Sequence, residues 1–268
     1  MLQVNAVDSL GATRADILKL HHSLRKVPYE ANRTLALISK MMNLAEAWGL
    51  RPEGTNPCRH VKRYPEKKRE RFLTGAELAR LGAALSEAEV AQGASNSVIA
   101  AIRLLLVTGC RLNEILTLRW DYLDMEGQCL RLPETKTGAK VVQLSAPALE
   151  ILSKIDRRDD NPHVIVGKRR GSHLVNAQKP WRHIRAQADL DDVRLHDLRH
   201  TFASIAAGLG EGLPMIGKLL GHTQAATTHR YAHLASDPVK QSAERIGAVV
   251  SGLLNADVGA EIVQLPKR

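Results

Sequence analysis

The stretch Ser95–Ile115 reads S-N-S-V-I-A-A-I-R-L-L-L-V-T-G-C-R-L-N-E-I and decides the fold of the larger part of the chain. Residues 98–107 are apolar except for Arg103, which predicts a helix buried on all sides at the centre of a domain. Gly109 ends this helix, and Leu112–Leu118 begins another with its apolar residues on one side. Arg111 follows directly after the break, where an unpartnered guanidinium is costly to desolvate. Arg111 is therefore either a structural residue paired with Glu114 or a functional one.

Helical patterns continue on both sides of this stretch, with one interruption. Cys129–Pro133 and Lys140–Ser145 have the pattern of short strands around a turn at Gly138, which predicts an antiparallel hairpin. Thr74–Glu77 has a capping-box pattern, and Asp197 is expected to be the N-cap of a later helix. The predicted helices are 14–24, 29–48, 74–85, 95–107, 112–118, 147–155, 180–188, 197–208, 213–220, 224–232 and 237–254. The predicted fold class is mostly α with one small antiparallel β-sheet (α+β).

Composition limits the classes of protein that the chain can belong to. Of its 268 residues 44% are hydrophobic, which is enough for a sizeable core and excludes wholesale disorder. No apolar stretch reaches the ~18–20 residues of a membrane span, and no signal-peptide pattern opens the chain, so a soluble intracellular protein is expected. Cys58, Cys110 and Cys129 form no CxxC pair, which argues against a disulfide framework or a zinc module.

Positive charge is concentrated in the first quarter of the chain. The formal net charge is +10, and residues 1–72 hold 14 basic and 7 acidic side chains. This imbalance favours a polyanionic partner such as nucleic acid, although a merely soluble basic protein is the alternative. The run Arg59–Arg71 is basic, contains Pro65 and is typical of a linker, either solvated or lying along phosphates. We predict a helical domain over 1–62, a basic linker over 63–72 and a second domain over 73–268.

Four short segments place reactive polar residues in otherwise apolar surroundings. They are Thr108–Ile115, Thr135–Gly138 in the hairpin turn, His196–Ala203, and Leu220–His222 followed by Tyr231. Arg111 and Arg199 are suited to hold one phosphate together, because each guanidinium can donate two parallel hydrogen bonds. Each of them alone is as readily explained by a structural salt bridge. Tyr231 is flanked by polar residues, including His229 and His233, which predicts a position close to solvent.

Two pairs of histidines have the spacing of zinc ligands on a helix. They are His196 with His200 and His229 with His233. Neither pair has a glutamate placed as in H-E-x-x-H or a cysteine nearby. No metal site is predicted.

The segments T-G-C-R-L-N-E-I-L-T-L-R-W, T-K-T-G, H-D-L-R-H-T-F-A-S and L-L-G-H-x8-Y closely resemble the tyrosine recombinase (phage integrase) family. The resemblance covers about residues 73–250, and all signature positions occur in the order of the family. Residues 1–62 are more loosely similar to the family's helical core-site DNA-binding domain, through A-N-R-T-L-A-L-I-S-K-M-M-N-L-A-E-x-W-G-L and N-P. This part is short, as though a first helix and any arm-site domain were absent.

The resemblance implies a role for each matching residue. Tyr231 is expected to be the nucleophile, which leaves a 3′-phosphotyrosyl link and a free 5′-hydroxyl. Arg111 and Arg199 are expected to hold the non-bridging oxygens of the phosphate and to stabilise the charge of the transition state. Lys136 is expected to protonate the leaving 5′-oxygen as general acid.

Three histidines and one carboxylate complete the expected site. His196 is expected to assist proton transfer at the tyrosine and to hydrogen-bond the phosphate. His222 is expected to donate a further hydrogen bond to the phosphate. Glu114 and His200 are expected to be supporting residues, with Glu114 orienting Arg111.

The resemblance also implies the partners. Double-stranded DNA at attachment or core sites is expected to contact the basic residues Arg33, Lys40, Lys62, Arg63, Lys67, Lys68 and Arg69. A tetramer on DNA is expected to exchange strands through a Holliday junction, for integration or excision of a mobile element, in the bacterial cytoplasm at the nucleoid. Accessory DNA-bending or directionality proteins are further candidate partners, and no membrane partner is expected.

No cofactor is expected either, because two fixed cations stabilise the phosphate and the phosphotyrosine retains the energy of the ester bond. Two alternatives stay open. A type IB topoisomerase would use the same residues to relax supercoils as a monomer, and a non-cutting DNA-binding protein would keep only the fold.

The last segment, 237–268, is predicted to act in assembly. Pro238–Leu254 is an amphipathic helix, and Ala260–Leu265 alternates like a short strand. The helix must dock either on its own domain or on a neighbouring protomer. In the family such segments pack onto the neighbour, and the strand is suited to adding to a neighbour's sheet edge.

Overall fold

The computed structural model describes residues 11–66, 69–91, 95–135, 138–234 and 238–254. The chain divides into two compact units, the first ending at Arg69 and the second beginning at Glu70. The division falls within the predicted linker, and the assignment of the units to the family's domains stays a prediction.

The described residues form α-helices and one small sheet, which confirms the predicted fold class. The helices are α1 Arg14–Ser23, α2 Pro28–Ala47, α3 Gly75–Val90, α4 Asn96–Thr108, α5 Leu112–Leu116, α6 Ala146–Ser153, α7 Gln178–Gln187, α8 Leu195–Gly208, α9 Leu213–Leu220, α10 Ala225–Thr228 and α11 Pro238–Leu254. Short 3-10 turns cover Trp120–Tyr122 and His229–Leu234. None of the helices in the described ranges combines the length and the apolar character that crossing a membrane requires.

The first unit is a pair of helices closed by the chain that follows them. The buried Asn32 of α2 binds the backbone of Tyr64 in both directions, with Nδ2 donating to the carbonyl at 2.8 Å and Oδ1 accepting from the N–H at 2.9 Å. The Tyr64 ring stacks on the His21 ring with centroids 4.3 Å apart. Tyr64, which lies inside the predicted linker, is therefore held on the helix pair.

The helix α4 is the centre of the second unit, as its apolar sequence predicts. Ile99, Ile102 and Leu104 are at most 1% exposed. The helices α3, α5, α6 and α8 pack against α4. Thr74 caps α3 in the predicted capping box. Burial of a whole helix in this way fixes the position of the chain that leaves it at Gly109.

The sheet carries the predicted hairpin and one further strand. The strands are β1 Leu123–Asp124, β2 Cys129–Leu132 and β3 Lys140–Gln143, antiparallel in the order β1-β2-β3. Leu132 of β2 pairs with Lys140 of β3. The strand β1 was not predicted, because two residues are too few to show an alternating pattern.

Two predictions about helices were wrong in detail. The segment predicted as one helix over 224–232 is the short α10 followed by the 3-10 turn. The helix α8 begins at Leu195, so Asp197 is not its N-cap but a residue of its first turn. There the Asp197 carboxylate accepts from the N–H of Arg194 at 2.9 Å, which satisfies one of the free donors of the helix start.

Candidate active site

Two helix ends enclose the guanidinium of Arg199. Gly109 ends α4 and Gly221 ends α9, both with left-handed backbone (φ +61° and +68°). The Arg199 Nη1 donates to the Gly109 carbonyl at 2.6 Å, and Nη2 donates to the Leu220 carbonyl at 2.7 Å. The partial negative charge of two helix C-termini stabilises this cation, which is only 3% exposed. Two of its five N–H donors are used in this way, and the others can serve a ligand.

Arg111 is held at the same place by a carboxylate. Its Nη1 donates to Glu114 Oε1 at 2.8 Å, and its backbone N–H donates to Oε2 at 2.9 Å. Its Nη2 also reaches the Gly221 carbonyl at 3.3 Å. The predicted structural pairing with Glu114 is therefore present, and the functional role of Arg111 stays a prediction.

Lys140 is a member of this cluster that the sequence analysis missed. Its Nζ donates to Glu114 Oε2 and to the Leu220 carbonyl, both at 3.2 Å, and its side chain is 7% exposed. A Cβ on Gly221 would lie 2.7 Å from its Cε, so a larger residue at this position would displace the lysine stem. The available signal was a second lysine in the predicted hairpin, four residues after Lys136. Lys136 lies outside the described residues.

The cluster carries a net positive charge. Burial acts to raise the pKa of Glu114, but hydrogen bonds from the Arg111 N–H and the charge of Lys140 outweigh burial and hold the pKa below its usual range. Burial lowers the pKa of Arg199, and the neighbouring Arg111 lowers it further. Three cations face one carboxylate, which suits a phosphate ligand.

His222 follows Gly221 and lies beside these cations. Its Nδ1 is 2.8 Å from the Oγ1 of Thr228, a hydroxyl that is buried in α10. Burial and the charges of Arg199 and Arg111 lower the pKa of His222 to about 4, so the ring is neutral at physiological pH. Because Thr228 occupies Nδ1, the ring can bind a ligand through Nε2.

Tyr231 lies in the 3-10 turn, three residues after Thr228. It is 4% exposed, so the predicted position close to solvent was wrong. The flanking His229 and His233 are exposed, whereas the tyrosine ring packs with the apolar residues that α8 and α9 bury. Burial raises the pKa of the phenol, although the charges of Arg230 and Arg199 oppose this.

The Tyr231 hydroxyl lies against His200. The distance from Oη to His200 Nδ1 is 2.6 Å. His196, one turn earlier on α8, is exposed, and its ring meets the His200 ring edge-on with centroids 4.8 Å apart. Partial desolvation and the charge of Arg199 lower the pKa of His196. Proton transfer at the tyrosine was assigned to His196, and this role stays a prediction, but the hydrogen bond to the hydroxyl is made by His200.

Comparison with known proteins assigns the family. The model of the phage integrase family matches residues 71–237. The chain belongs to the phage integrase family. A shufflon-specific DNA recombinase of Escherichia coli is 32% identical over 204 residues, 75% of this chain and 50% of that protein. A tyrosine recombinase of Thermosipho africanus is 31% identical over 214 residues, 76% of this chain and 71% of that protein.

The fold of this phage integrase family member is also that of lambda integrase. A lambda integrase tetramer bound to a Holliday junction aligns with a TM-score of 0.62 at 18% identity, covering 81% of this chain and 66% of that chain. The present chain spans about half the length of the E. coli relative.

The predicted DNA-binding residues that the structure describes all lie on the surface of the first unit. Arg33 and Lys40 are seven residues apart on α2, and Lys62, Arg63 and Arg69 follow in the basic run. Lys67 and Lys68 lie outside the described residues. Exposure is compatible with phosphate contact, which stays a prediction.

Two further predictions concern metals and cysteines. All three cysteines are free and buried. Across the described ranges, no group of three or more His, Cys, Asp or Glu side chains is arranged to hold a metal ion.

Proposed function

We propose that this protein is a site-specific DNA recombinase that breaks and rejoins strands through a covalent 3′-phosphotyrosyl intermediate. The observation that carries the proposal is the shared surroundings of Arg199, His222 and Tyr231. Arg199 and His200 are neighbours on α8, and His200 Nδ1 lies 2.6 Å from the Tyr231 hydroxyl oxygen. The charge of Arg199 acts on the pKa of both His222 and Tyr231, which supports a single site for the fixed cation and the proposed nucleophile. Membership of the phage integrase family supports this reading.

The arginines perform the electrostatic part of the reaction. Arg111 and Arg199 hold the non-bridging oxygens of the scissile phosphate, and they are already fixed by Glu114 and by carbonyls of two helix ends. Because these donors need no reorganisation, they stabilise the charge that develops in the transition state. The Nε2 of His222 donates a further hydrogen bond to the phosphate.

The tyrosine performs the covalent part. The Tyr231 oxygen attacks phosphorus, the bond to the 5′-oxygen breaks, and that oxygen takes a proton from a general acid, which we assign to Lys136. Rejoining is the reverse attack by a 5′-hydroxyl. The phosphotyrosine keeps the energy of the ester, so the cycle consumes no ATP.

Assembly on DNA follows from the same proposal. The E. coli relative is named a DNA recombinase, and the lambda integrase structure is a tetramer on a Holliday junction. We assign double-stranded DNA, held by basic residues of the first unit, as the substrate, and a tetramer on DNA in the cytoplasm as the active form. The exposed Ile246, Val249 and Leu253 of α11 are suited to docking on a neighbouring protomer.

A suicide substrate tests the chemistry. Nicked duplexes that tile the DNA on either side of the gene are incubated with protein in EDTA without ATP and run on denaturing gels. Wild type is expected to form a covalent protein–DNA band. Tyr231→Phe is expected to abolish the band and leave duplex binding unchanged, because only the nucleophilic oxygen is removed. Tyr122→Phe, at a half-buried tyrosine of the same unit, is the matched control.

The outcomes separate the alternatives. A band from Tyr231→Phe contradicts the assignment of the nucleophile. Tight duplex binding without a wild-type band favours a non-cutting DNA-binding protein. A wild-type band with relaxation of supercoils but no resolution of synthetic Holliday junctions favours the topoisomerase.

A further inference from the structure

We infer that His200 is the group that accepts the proton of Tyr231 when the tyrosine attacks DNA, through its Nδ1 atom. The inference rests on the proposed function and adds a catalytic residue to it. The decisive observation is the 2.6 Å contact between the Tyr231 hydroxyl oxygen and His200 Nδ1. At this length the two atoms share one hydrogen, so they already have the geometry of a proton transfer.

The helix α8 fixes the position of His200 relative to the other residues of the site. It follows Arg199 directly on α8, so a single helical turn fixes the phosphate-binding cation and the proton acceptor relative to each other. The His196 and His200 rings are in edge-to-face contact, with an interplanar angle of 83°. The ring is half-buried. Tyr231 packs with Ala203 and Ala207, on the next turns of the same helix.

Burial and the neighbouring charges set the charge state of the His200 and Tyr231 side chains. Burial, His196 and Arg230 lower the pKa of His200 to about 4, with Arg199 acting in the same direction and Asp197 opposing. Burial raises the pKa of Tyr231. At neutral pH the imidazole is therefore neutral and the phenol is protonated. A proton acceptor at Nδ1 needs the tautomer in which the phenol donates its O–H to the lone pair on Nδ1 and the imidazole proton is on Nε2, and we assign this tautomer to the pair.

The step balances as a proton transfer coupled to phosphoryl transfer. The Tyr231 O–H bond breaks and its proton moves to His200 Nδ1 as the oxygen–phosphorus bond forms. The bond from phosphorus to the 5′-oxygen breaks, and that oxygen takes a proton from the assigned acid, Lys136. A phosphate bound by Arg199 offsets the positive charge that this residue exerts on His200, so protonating His200 costs less free energy with DNA bound than without it. Rejoining returns the proton to the phenol oxygen.

Two variants and two substrates test this role. His200→Ala removes the acceptor, whereas His200→Asn offers an oxygen near the position of Nδ1 that cannot take a proton at neutral pH. Each is compared with wild type on a nicked duplex and on the same duplex with a 5′-bridging sulfur. The thiolate leaves without a general acid because thiols are far more acidic than alcohols. Lys136→Ala is the control that sulfur is expected to rescue.

We expect both His200 variants to form the covalent adduct about 10²–10⁴-fold more slowly, the usual contribution of a positioned acid or base. We expect no rescue by sulfur, because their defect lies at the nucleophile. The rate of His200→Asn is expected to rise with pH as the phenolate fraction grows. A wild-type rate in His200→Asn would limit His200 to positioning the tyrosine and overturn the inference, as would rescue of both variants by sulfur.

Two controls keep the test decisive. Circular dichroism and duplex binding check the fold of the variants, and absence of a wild-type adduct counts against the proposed function itself. Nitrogen NMR of the DNA-free wild type at neutral pH gives a reading that needs no variant. An unprotonated, hydrogen-bonded Nδ1 on His200 is expected, and a protonated Nδ1 overturns the inference.

Discussion

The two sides of the candidate site are buried to a similar degree but are held by different interactions. The arginine side consists of Arg111, Glu114, Lys140 and Arg199, and the tyrosine side consists of His200, His222, Thr228 and Tyr231. On the arginine side, charged groups bind a carboxylate and the carbonyls of two helix ends. On the tyrosine side, neutral rings and hydroxyls form single hydrogen bonds.

This difference corresponds to the chemical role that we propose for each side. Fixed charge stabilises a transition state best when it does not move, and the ends of α4 and α9 hold the Arg199 guanidinium in place. A nucleophile must lose a proton, which requires a neutral partner with a free lone pair. Burial lowers the pKa of His222 and His200, and the charge of Arg199 acts in the same direction on both, so those rings are neutral at physiological pH. The arginine side therefore contributes to the neutral state of the tyrosine side.

The largest combined effect on reaction rate and stability is expected from the arginine side. Arg199→Ala should lower the rate of adduct formation about 10²–10³-fold, the usual loss for one preorganised donor. It should also lower the thermal midpoint, because the Gly109 carbonyl loses the Arg199 donor and the Leu220 carbonyl keeps only Lys140 among its described donors. Quenched single-turnover assays on the nicked duplex measure the rate, and thermal melts measure the midpoint. Tyr231→Phe, in contrast, is expected to abolish the reaction with little change in the melt.

Arg199→Lys sharpens this test. A lysine keeps the charge but cannot donate to both carbonyls and to a phosphate in a fixed plane. We expect the rate of adduct formation by Arg199→Lys to remain well below the wild-type rate. A wild-type rate for Arg199→Ala would remove this residue from the site, and a rate near wild type for Arg199→Lys would show that charge alone suffices.

The arginine side was the more predictable of the two from sequence. Arg111 after the break of an apolar helix and Glu114 one turn later are local features, and the local pattern gave their pairing. Lys140 was not predicted, because its contacts with Glu114 and Leu220 join segments 26 and 80 residues apart. The pattern of a strand predicts which residues lie on each face of the sheet. It does not predict that Lys140 contacts the end of α9.

The tyrosine side could not be predicted correctly from local sequence. The polar neighbours of Tyr231 indicated exposure, but the 3-10 turn places the ring against α8 and α9. The partner of its hydroxyl is 31 residues away, so no spacing rule could distinguish His200 from His196. The fold class, the hairpin and the central helix were predictable because periodicity and capping are local properties.

A smaller effect is expected from Gly221, where backbone strain and side-chain contact can be separated. Gly221 and Gly171 have the same φ of +68°, but a Cβ meets Lys140 Cε at 2.7 Å in Gly221 and only a carbonyl at 3.9 Å in Gly171. Gly171→Ala should cost about 1–2 kcal/mol of stability through the left-handed backbone alone. Gly221→Ala should cost a further 1.5–3 kcal/mol or so, because Lys140 loses hydrogen bonds to a charged group.

Chemical denaturation of both variants measures this difference, and adduct formation shows its consequence. Gly221→Ala should also react more slowly, whereas Gly171→Ala should react at the wild-type rate. Equal losses of stability in the two variants would mean that Lys140 moves aside without cost. The arginine side would then depend on Glu114 and the helix carbonyls alone.

The smallest effect is expected from Thr228 on the tyrosine side. Thr228→Val keeps the shape of the side chain and removes the hydroxyl that lies 2.8 Å from His222 Nδ1. Losing one neutral hydrogen bond costs about 1 kcal/mol, which corresponds to roughly a fivefold lower rate of adduct formation if the bond serves only to orient the ring. Thr227→Val, at the exposed neighbouring position, is the matched control and should be silent. A loss as large as that of Arg199→Ala would show that the tyrosine side is as preorganised as the arginine side, and the contrast between them would fail.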